Sequence, residues 1–276
     1  MTMVNTQCHA TTTSRLNARR KSMYALRARG AGTLNGYPRT VDVDAHPERR
    51  RWEVVVAVVA VLVVANIMSN RLLPAWAYVP WNLLVAVAVV ALARRDVSHE
   101  AMGFHRWRRG AVWGVALLVL TVAVLVVAVA MPAFHDLYSD RRVDGGVAAW
   151  LYHAFVRIPL GTVVLEEVAF RAVLPALFAA RFGVLRGSVA ASALFGLWHV
   201  LPAMNLNTVN PVMADVFGSG VGGQVAAVVF GVVGTTFAGL WWCWIRYRAG
   251  SVLATMIAHV GTNSVAYTIA YLIAGS

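Results

Sequence analysis

Seven long runs of apolar residues dominate the sequence, and most polar positions fall between them. The runs cover residues 54–68, 77–93, 111–131, 148–180, 188–204, 223–245 and 251–273. Several approach or exceed the roughly 20 residues that an α-helix needs to cross a bilayer. The first run is short, but it extends through Leu73 if Asn70 and Arg71 reach the membrane interface. This pattern predicts an all-α membrane protein.

The fourth run, 148–180, is too long for one simple span. It contains Pro159, and His153 and Arg157 lie just before that proline. Because proline breaks or kinks the interior of a helix, we expect a short interfacial helix that enters a second helix at Pro159. The predicted fold is therefore a polytopic bundle of seven or eight transmembrane helices around an intramembrane polar cavity.

The composition supports a membrane protein. The chain has 276 residues, of which 59% are hydrophobic and 13% charged, whereas soluble domains have about 25% charged residues. Residues 1–51 contain no apolar run and carry ten Lys or Arg against three Asp or Glu. We expect this segment to be a basic, disordered cytoplasmic tail that attracts anionic lipid headgroups, and residues 52–276 to be the membrane domain. Because the basic tail precedes a membrane span, attraction to lipid headgroups explains its charge more simply than binding to nucleic acid does.

Arginines are concentrated in every second loop. They cluster after the second, fourth and sixth runs, whereas the other loops carry Arg71 and a pair, Arg141 and Arg142, that three aspartates dilute. By the positive-inside rule this alternation favours a cytoplasmic N-terminus. An extra crossing near Pro159 would invert the second half of the chain. We expect a multi-pass protein of a bacterial plasma membrane, and the sequence leaves its oligomeric state open.

The cysteines and the tryptophan cluster suggest no special chemistry. Cys8 lies in the tail and Cys243 in an apolar run, so a disulfide or a metal site between them is not expected. Trp241, Trp242 and Trp244 come just before an arginine-rich loop. Such a cluster is typical of an interfacial aromatic belt.

Glu166, Glu167 and Arg171 are charged residues inside the fourth run. An ionised side chain at the middle of a membrane helix costs about 2.5–3.5 kcal/mol on insertion scales, so such groups usually face the protein interior and mark function. At about 100° per residue, Arg171 lies about 40° from Glu167 around the helix, and Glu166 points about 140° away from the arginine. We therefore expect Glu167 and Arg171 to neutralise each other and leave Glu166 available for chemistry.

Two further pairs lie four positions apart in apolar runs, so the members of each pair share a helix face. Phe195 precedes His199, and His259 precedes Asn263. Either histidine alone could be a hydrogen-bonded packing residue. The set as a whole comprises two histidines, an asparagine and a glutamate pair on three helices. Each of these side chains needs a polar partner in hydrocarbon, and each can serve as a partner for another.

These groups meet the needs of peptide hydrolysis. A carboxylate near a histidine can take a proton from water. A second histidine and an amide can donate hydrogen bonds to the oxyanion of the tetrahedral intermediate. Such a site requires no covalent nucleophile.

The order and spacing of these residues resemble the CPBP family of CAAX prenyl proteases and bacteriocin-processing enzymes, also called Abi proteins. The resemblance covers roughly residues 103–273 and rests on three motifs. EExxxR, FxxxH and HxxxN match Glu166, Glu167 and Arg171, then Phe195 and His199, then His259 and Asn263.

The resemblance implies an intramembrane glutamic endopeptidase without a cofactor, acting on a membrane protein or a prenylated peptide. Glu166 and His199 would activate water, and His259 and Asn263 would stabilise the oxyanion. Glu167, Arg171 and Phe195 would organise the site.

Three alternatives remain open at this point. Glu166, His199 and His259 could instead bind zinc with one open position, although no HExxH motif is present. The chain could be a non-catalytic scaffold, anti-protease or sensor of the same fold. It could also be a proton-coupled transporter whose carboxylates relay protons.

Overall fold

The computed structural model of the chain describes residues 52–131, 138, 143 and 145–274. The predicted tail, residues 1–51, lies outside this range, as do Arg141 and Arg142. The described residues form nine helical segments and no strand, so the predicted all-α fold is confirmed. In chain order the segments are α1 (Trp52–Leu72), α2 (Ala75–Ala93), α3 (Trp107–Ala130), α4 (147–182), α5 (Val184–Ala203), α6 (Leu206–Val209), α7 (Pro211–Phe217), α8 (Val221–Ala249) and α9 (252–274).

Five of these helices are long and apolar enough to cross a membrane, namely α1, α2, α3, α5 and α8. Their outer faces expose large apolar side chains such as Val56, Val119 and Phe237, as expected of surfaces that contact lipid. The remaining two long helices, α4 and α9, carry the EExxxR and HxxxN motifs, and FxxxH lies on α5. The chain is an all-α membrane protein.

The predicted break at Pro159 does not occur. Residues 147–182 form one continuous helix, in which α-helical turns alternate with π-helical segments at His153–Val163 and Val168–Val173. A proline ring crowds the carbonyl four residues earlier in an α-helix, and the wider π-helical turn gives the ring more room. Asn82 of α2 supports this segment by donating to the carbonyl of Gly161 at 2.8 Å. The prediction of a separate interfacial helix was therefore wrong, and the described residues contain seven long helices.

The buried core follows the second half of α4. Every residue from 165 to 178 is buried, whereas most positions from 151 to 160 are exposed or half-buried. Helices α1 and α2 cover this half through Val58, Leu62 and Val89, which are also buried. The two glutamates thus lie at the point where α4 enters the core.

Glycines bring the motif helices close to their neighbours. A Cβ on Gly114 of α3 would lie 2.8 Å from the Cβ of Ile257 on α9, and one on Gly196 of α5 would lie 2.7 Å from the carbonyl oxygen of Val232 on α8. Only a residue without a side chain allows so close an approach. These contacts fix α9, which carries HxxxN, against α3, and α5, which carries FxxxH, against α8.

Candidate active site

Glu167 lies at the centre of a buried polar network. Its Oε1 is 2.8 Å from Nδ1 of His259 on α9 and 3.5 Å from Nε of Arg171, four residues along α4. Glu167 and Arg171 are both fully buried, so water screens their interaction little. The structure therefore places the carboxylate between a cation and an imidazole.

Both ring nitrogens of His259 have polar neighbours. Its Nε2 lies 3.1 Å from the amide nitrogen of Asn263 and 3.8 Å from Oε2 of Glu166. When Nδ1–H is donated to Glu167, Nε2 is the lone-pair nitrogen and accepts a hydrogen bond from the Asn263 amide. The indole of Trp242 on α8 lies nearly parallel to the imidazole, with ring centroids 6.3 Å apart. These contacts fix the position and tautomer of the histidine.

Glu166 has a different environment from its neighbour. Its Oε1 accepts a hydrogen bond of 3.1 Å from the indole nitrogen of Trp198 on α5. Its Oε2 makes no hydrogen bond to any residue in the part of the chain that the structure describes, because 3.8 Å to His259 is too long for one. Glu166 is therefore held by one oxygen and has the other available to a water molecule or a substrate.

His199 is positioned by its own helix. Its Nδ1 lies 2.8 Å from the carbonyl oxygen of Phe195, and donation from Nδ1 leaves Nε2 as a proton acceptor in the neutral ring. The Phe195 ring lies between the His199 ring, at a centroid distance of 4.5 Å, and the guanidinium of Arg171, at 3.9 Å. Phe195 thus joins the FxxxH motif to the EExxxR motif through a cation–π contact.

Local interruptions in the helices set these positions. Helix α5 breaks at His199, whose φ and ψ of −85° and 0° are not helical, and the amide of Asn66 on α1 donates to the released carbonyl of Trp198 at 2.9 Å. A π-helical segment follows Glu167 directly, and another, Gly261–Val265, contains Asn263. Such segments are frequent at functional sites because they redirect side chains.

The structure brings most of the sequence-predicted site residues together. Direct contacts connect Glu166, Glu167, Arg171, His259 and Asn263, and Phe195 joins them through Arg171. His199 touches this network through the Phe195 ring, and among the described residues no hydrogen bond or ion pair joins it to Glu166. Within the same residues, no group of three His, Cys, Asp or Glu side chains has the arrangement of a metal site.

Sequence reasoning missed two tryptophans. The indole N–H of Trp198, in an apolar helix, needs an acceptor, and Glu166 supplies it. Trp242, which the sequence pattern assigns to an interfacial belt, stacks on His259 and so belongs to the site. Trp241 and Trp244 are more than 40% exposed and stack on each other at 4.9 Å. The belt interpretation therefore fits those two residues only.

An apolar cavity borders the site between α1, α4 and α5. Its volume is about 150 Å³. Asn66 is the sole amide in a lining that consists otherwise of Val59, Leu62, Val63, Phe170, Leu174, Leu194, Leu197 and Trp198. Because Trp198 is also the donor to Glu166, this cavity lies next to a carboxylate of the network.

These features define a class, an all-α membrane protein with a carboxylate, histidine and amide network buried between its helices. The family model described as type II CAAX prenyl endopeptidase Rce1-like matches residues 148–265, a range that includes all three motifs. Residues 148–265 are therefore similar to an Rce1-like domain, in agreement with the CPBP resemblance. This family supports a CAAX-type protease in a membrane environment, with a peptide or protein substrate. Searches of curated proteins and of solved structures found no match.

Proposed function

We propose that the protein is an intramembrane glutamic endopeptidase that hydrolyses a peptide bond in a membrane-associated or lipid-modified substrate. The observation that carries this proposal is the unequal environment of the two adjacent glutamates. Glu167 has a cation and a histidine as partners and its side chain is fully buried, including an Oε2 without a partner, whereas the Glu166 side chain is 9% exposed and its Oε2 makes no hydrogen bond within the described residues. A general base needs such an accessible oxygen within reach of a water molecule.

In the proposed reaction, Glu166 takes a proton from the attacking water with the help of Nε2 of His199. The resulting hydroxide adds to the carbonyl carbon of the scissile bond, and the carbonyl oxygen becomes an oxyanion. Glu166 then gives its proton to the leaving amine as the C–N bond breaks. Atoms and charges balance without a covalent intermediate, and the buried Cys243 is not required.

The charges of the network support this role for Glu166. Two ionised glutamates and one arginine leave one excess negative charge while His259 is neutral. Excess charge is costly where little water is present. Transfer of the proton from water to Glu166 makes the network neutral at the step where the oxyanion forms, so the electrostatic cost of the new charge is reduced.

Asn263 and His259 are the proposed oxyanion donors. The Asn263 amide already donates towards His259 and could donate to an oxyanion at the same place. In its neutral state, His259 acts by holding the Asn263 amide; it would itself donate from Nε2 only with a second proton taken from water, while Nδ1–H remains bonded to Glu167 at 2.8 Å. Fixed donors of this kind typically contribute 10²–10³-fold to a rate.

The proposed mechanism uses no metal ion. It assigns proton transfer to Glu166 and His199, the same residues that a zinc mechanism would use as ligands. The two mechanisms differ in whether active protein carries stoichiometric metal.

The test is a proteomic comparison of membrane fractions from cells that carry wild-type protein or Glu166→Gln at equal abundance. We expect new peptide termini that occur with the wild type and disappear in the variant. Glu53→Gln is the matched control, because it removes an exposed carboxylate on α1 far along the chain from the motifs. Identical termini in all three samples would refute proteolysis and favour a scaffold or a transporter.

A further inference from the structure

A second polar cluster lies beside the site, where the start of α2 packs against the first half of α4. A Cβ on Gly161 of α4 would lie 2.9 Å from the ring of Tyr78 on α2, so glycine allows the close approach of the two helices. The hydroxyl of Tyr78 is 3.1 Å from that of Thr162, and the guanidinium carbon of Arg157 lies 4.1 Å from the centroid of the Tyr78 ring. Tyr78, Thr162 and Arg157 are called the tyrosine cluster below.

The tyrosine cluster is adjacent to Glu166. Thr162 precedes Glu166 by four residues on α4, so the two side chains lie on about the same helix face, about 6 Å apart along the axis. Tyr78 interacts electrostatically with both Arg157 and Glu166. The cation of the cluster and the proposed base are therefore both within electrostatic range of one hydroxyl group, so a peptide bound at Glu166 can also reach the cluster.

Arg157 has the same kind of ring contact as Arg171 but lacks a carboxylate partner. Arg171 lies over the Phe195 ring at 3.9 Å, and its Nε is 3.5 Å from the Glu167 carboxylate. Stacking on a ring leaves the N–H groups at the edge of a guanidinium free to pair with a carboxylate. Arg157 is half-buried over the Tyr78 ring, and no carboxylate of the described residues lies within 4.0 Å of its guanidinium nitrogens. The described part of the chain thus supplies a ring for this cation but no anion.

We propose that Arg157, held on the Tyr78 ring, binds a carboxylate of the substrate, which is either the C-terminal carboxylate of the peptide or an acidic side chain. This inference rests on the proposed function. A substrate carboxylate adds a second excess negative charge beside the network of Glu166, and pairing with Arg157 reduces the cost of that charge where little water is present. A bidentate pair with a guanidinium also fixes the direction of the carboxylate, so this subsite sets the position of the scissile bond.

The distance from Arg157 to Glu166 limits where the carboxylate can lie in the substrate. Arg157 precedes Glu166 by nine residues on α4, which is about 13 Å along a helix with a rise of 1.5 Å per residue. An extended peptide covers about 3.3–3.6 Å per residue. We therefore expect the carboxylate about three to four residues from the scissile bond.

Peptide binding to Glu166→Gln tests the subsite without turnover. The probe is a fluorescently labelled peptide that spans a cleavage site found in the proteomic comparison and ends about four residues after it. It is made with a free C-terminal carboxylate, with a C-terminal amide, and with the amide and a glutamate as the last residue. In fluorescence anisotropy in detergent the free acid should bind about 10- to 100-fold more tightly than the amide, the range for hydrogen bonds to a charged group. The third peptide identifies the source of the carboxylate, because it should bind like the free acid only if an acidic side chain is sufficient.

Arg157→Gln, combined with Glu166→Gln, should bind the free acid and the amide with similar affinity. Arg186→Gln in the same background is the matched control, because it removes an exposed arginine on α5 and should keep the preference for the free acid. Equal affinity of the Glu166→Gln protein for both peptides would overturn the subsite and would leave Tyr78 and Arg157 as an interfacial anchor. That comparison needs no change at Arg157, so it decides the matter even if Arg157→Gln does not fold.

Turnover by the wild type separates the subsite from the proposed function. The free-acid peptide should be cleaved with a kcat/KM about 10- to 100-fold above that of the amide. Glu166-dependent cleavage of both peptides with equal kcat/KM would refute the subsite and leave the proposed function standing. A preference for the free acid in binding, without any Glu166-dependent cleavage in detergent, would refute the proposed function and leave the subsite standing.

Discussion

The same substitution should destabilise the protein strongly at Glu167 and little at Glu166. Glu167→Gln leaves the fully buried guanidinium of Arg171 without its carboxylate partner. At the observed separation of 3.5 Å, a pair of unit charges interacts by about 4–5 kcal/mol at an effective dielectric constant of about 20. Breaking a buried ion pair from one side costs about 3–5 kcal/mol in soluble proteins. Since 1 kcal/mol shifts the melting temperature of a domain of this size by about 2–4 °C, we expect Glu167→Gln to melt about 6–20 °C below the wild type.

Glu166→Gln should melt close to the wild type. Its main contact is the hydrogen bond from Trp198, which the amide oxygen can still accept, and the difference between a charged and a neutral acceptor is about 1 kcal/mol. The substitution also removes the excess negative charge of the network, which offsets part of that loss.

Thermal melts in one detergent check this pair of expectations. Glu167→Gln combined with Arg171→Gln is the control, because the double variant leaves no uncompensated charge and should recover part of the loss. If Glu167→Gln melts like the wild type while Glu166→Gln melts far lower, the assignment of the two roles is reversed.

The remaining predictions concern the metal, the tail and the packing of the site. Activity should survive a strong chelator, whereas inhibition that added zinc reverses, with one metal per chain, would show that the site binds zinc. Purified protein without residues 1–51 should stay folded and active in neutral detergent, and complete loss of turnover would contradict an accessory tail. Trp198→Phe should lower kcat about 10- to 100-fold and the melting temperature by about 3–12 °C, because it removes a hydrogen bond to a charged group worth about 1.5–3 kcal/mol. Gly196→Ala should lower both stability and activity, because its Cβ would collide with Thr236 and Val232, whereas Gly234→Ala on α8 meets no atom within 4 Å and should be neutral.

The sequence predicted the parts of the fold that depend on local pattern. Long apolar runs specify membrane helices whatever their neighbours are, and the spacing of four residues was sufficient to predict the contact between Glu167 and Arg171. The continuous path of α4 through Pro159 could not be predicted in this way, because a proline inside a helix is normally read as a break. The π-helical geometry that accommodates it is supported by Asn82 on another helix.

The contacts between side chains of different motifs also could not be predicted from the sequence. Spacing shows which side chains share a helix face, but it does not show which helices face each other. The hydrogen bond from Trp198 to Glu166 and the contact of His259 with Glu167 join residues that are 32 and 92 positions apart. The sequence pattern assigned Trp242 to an interfacial belt for the same reason, because its stacking on His259 depends on how α8 and α9 pack.

The central claim is that Glu166 is the base of a peptide hydrolysis inside the membrane. The most direct measurement is the turnover of a cleavable peptide by purified protein in detergent, with wild type and Glu166→Gln compared at equal folded concentration. We predict that Glu166→Gln has no detectable turnover while its melting temperature and its elution in size-exclusion chromatography match the wild type. Turnover by Glu166→Gln at a rate comparable to the wild type would contradict the claim, because an amide cannot accept the proton that the mechanism requires.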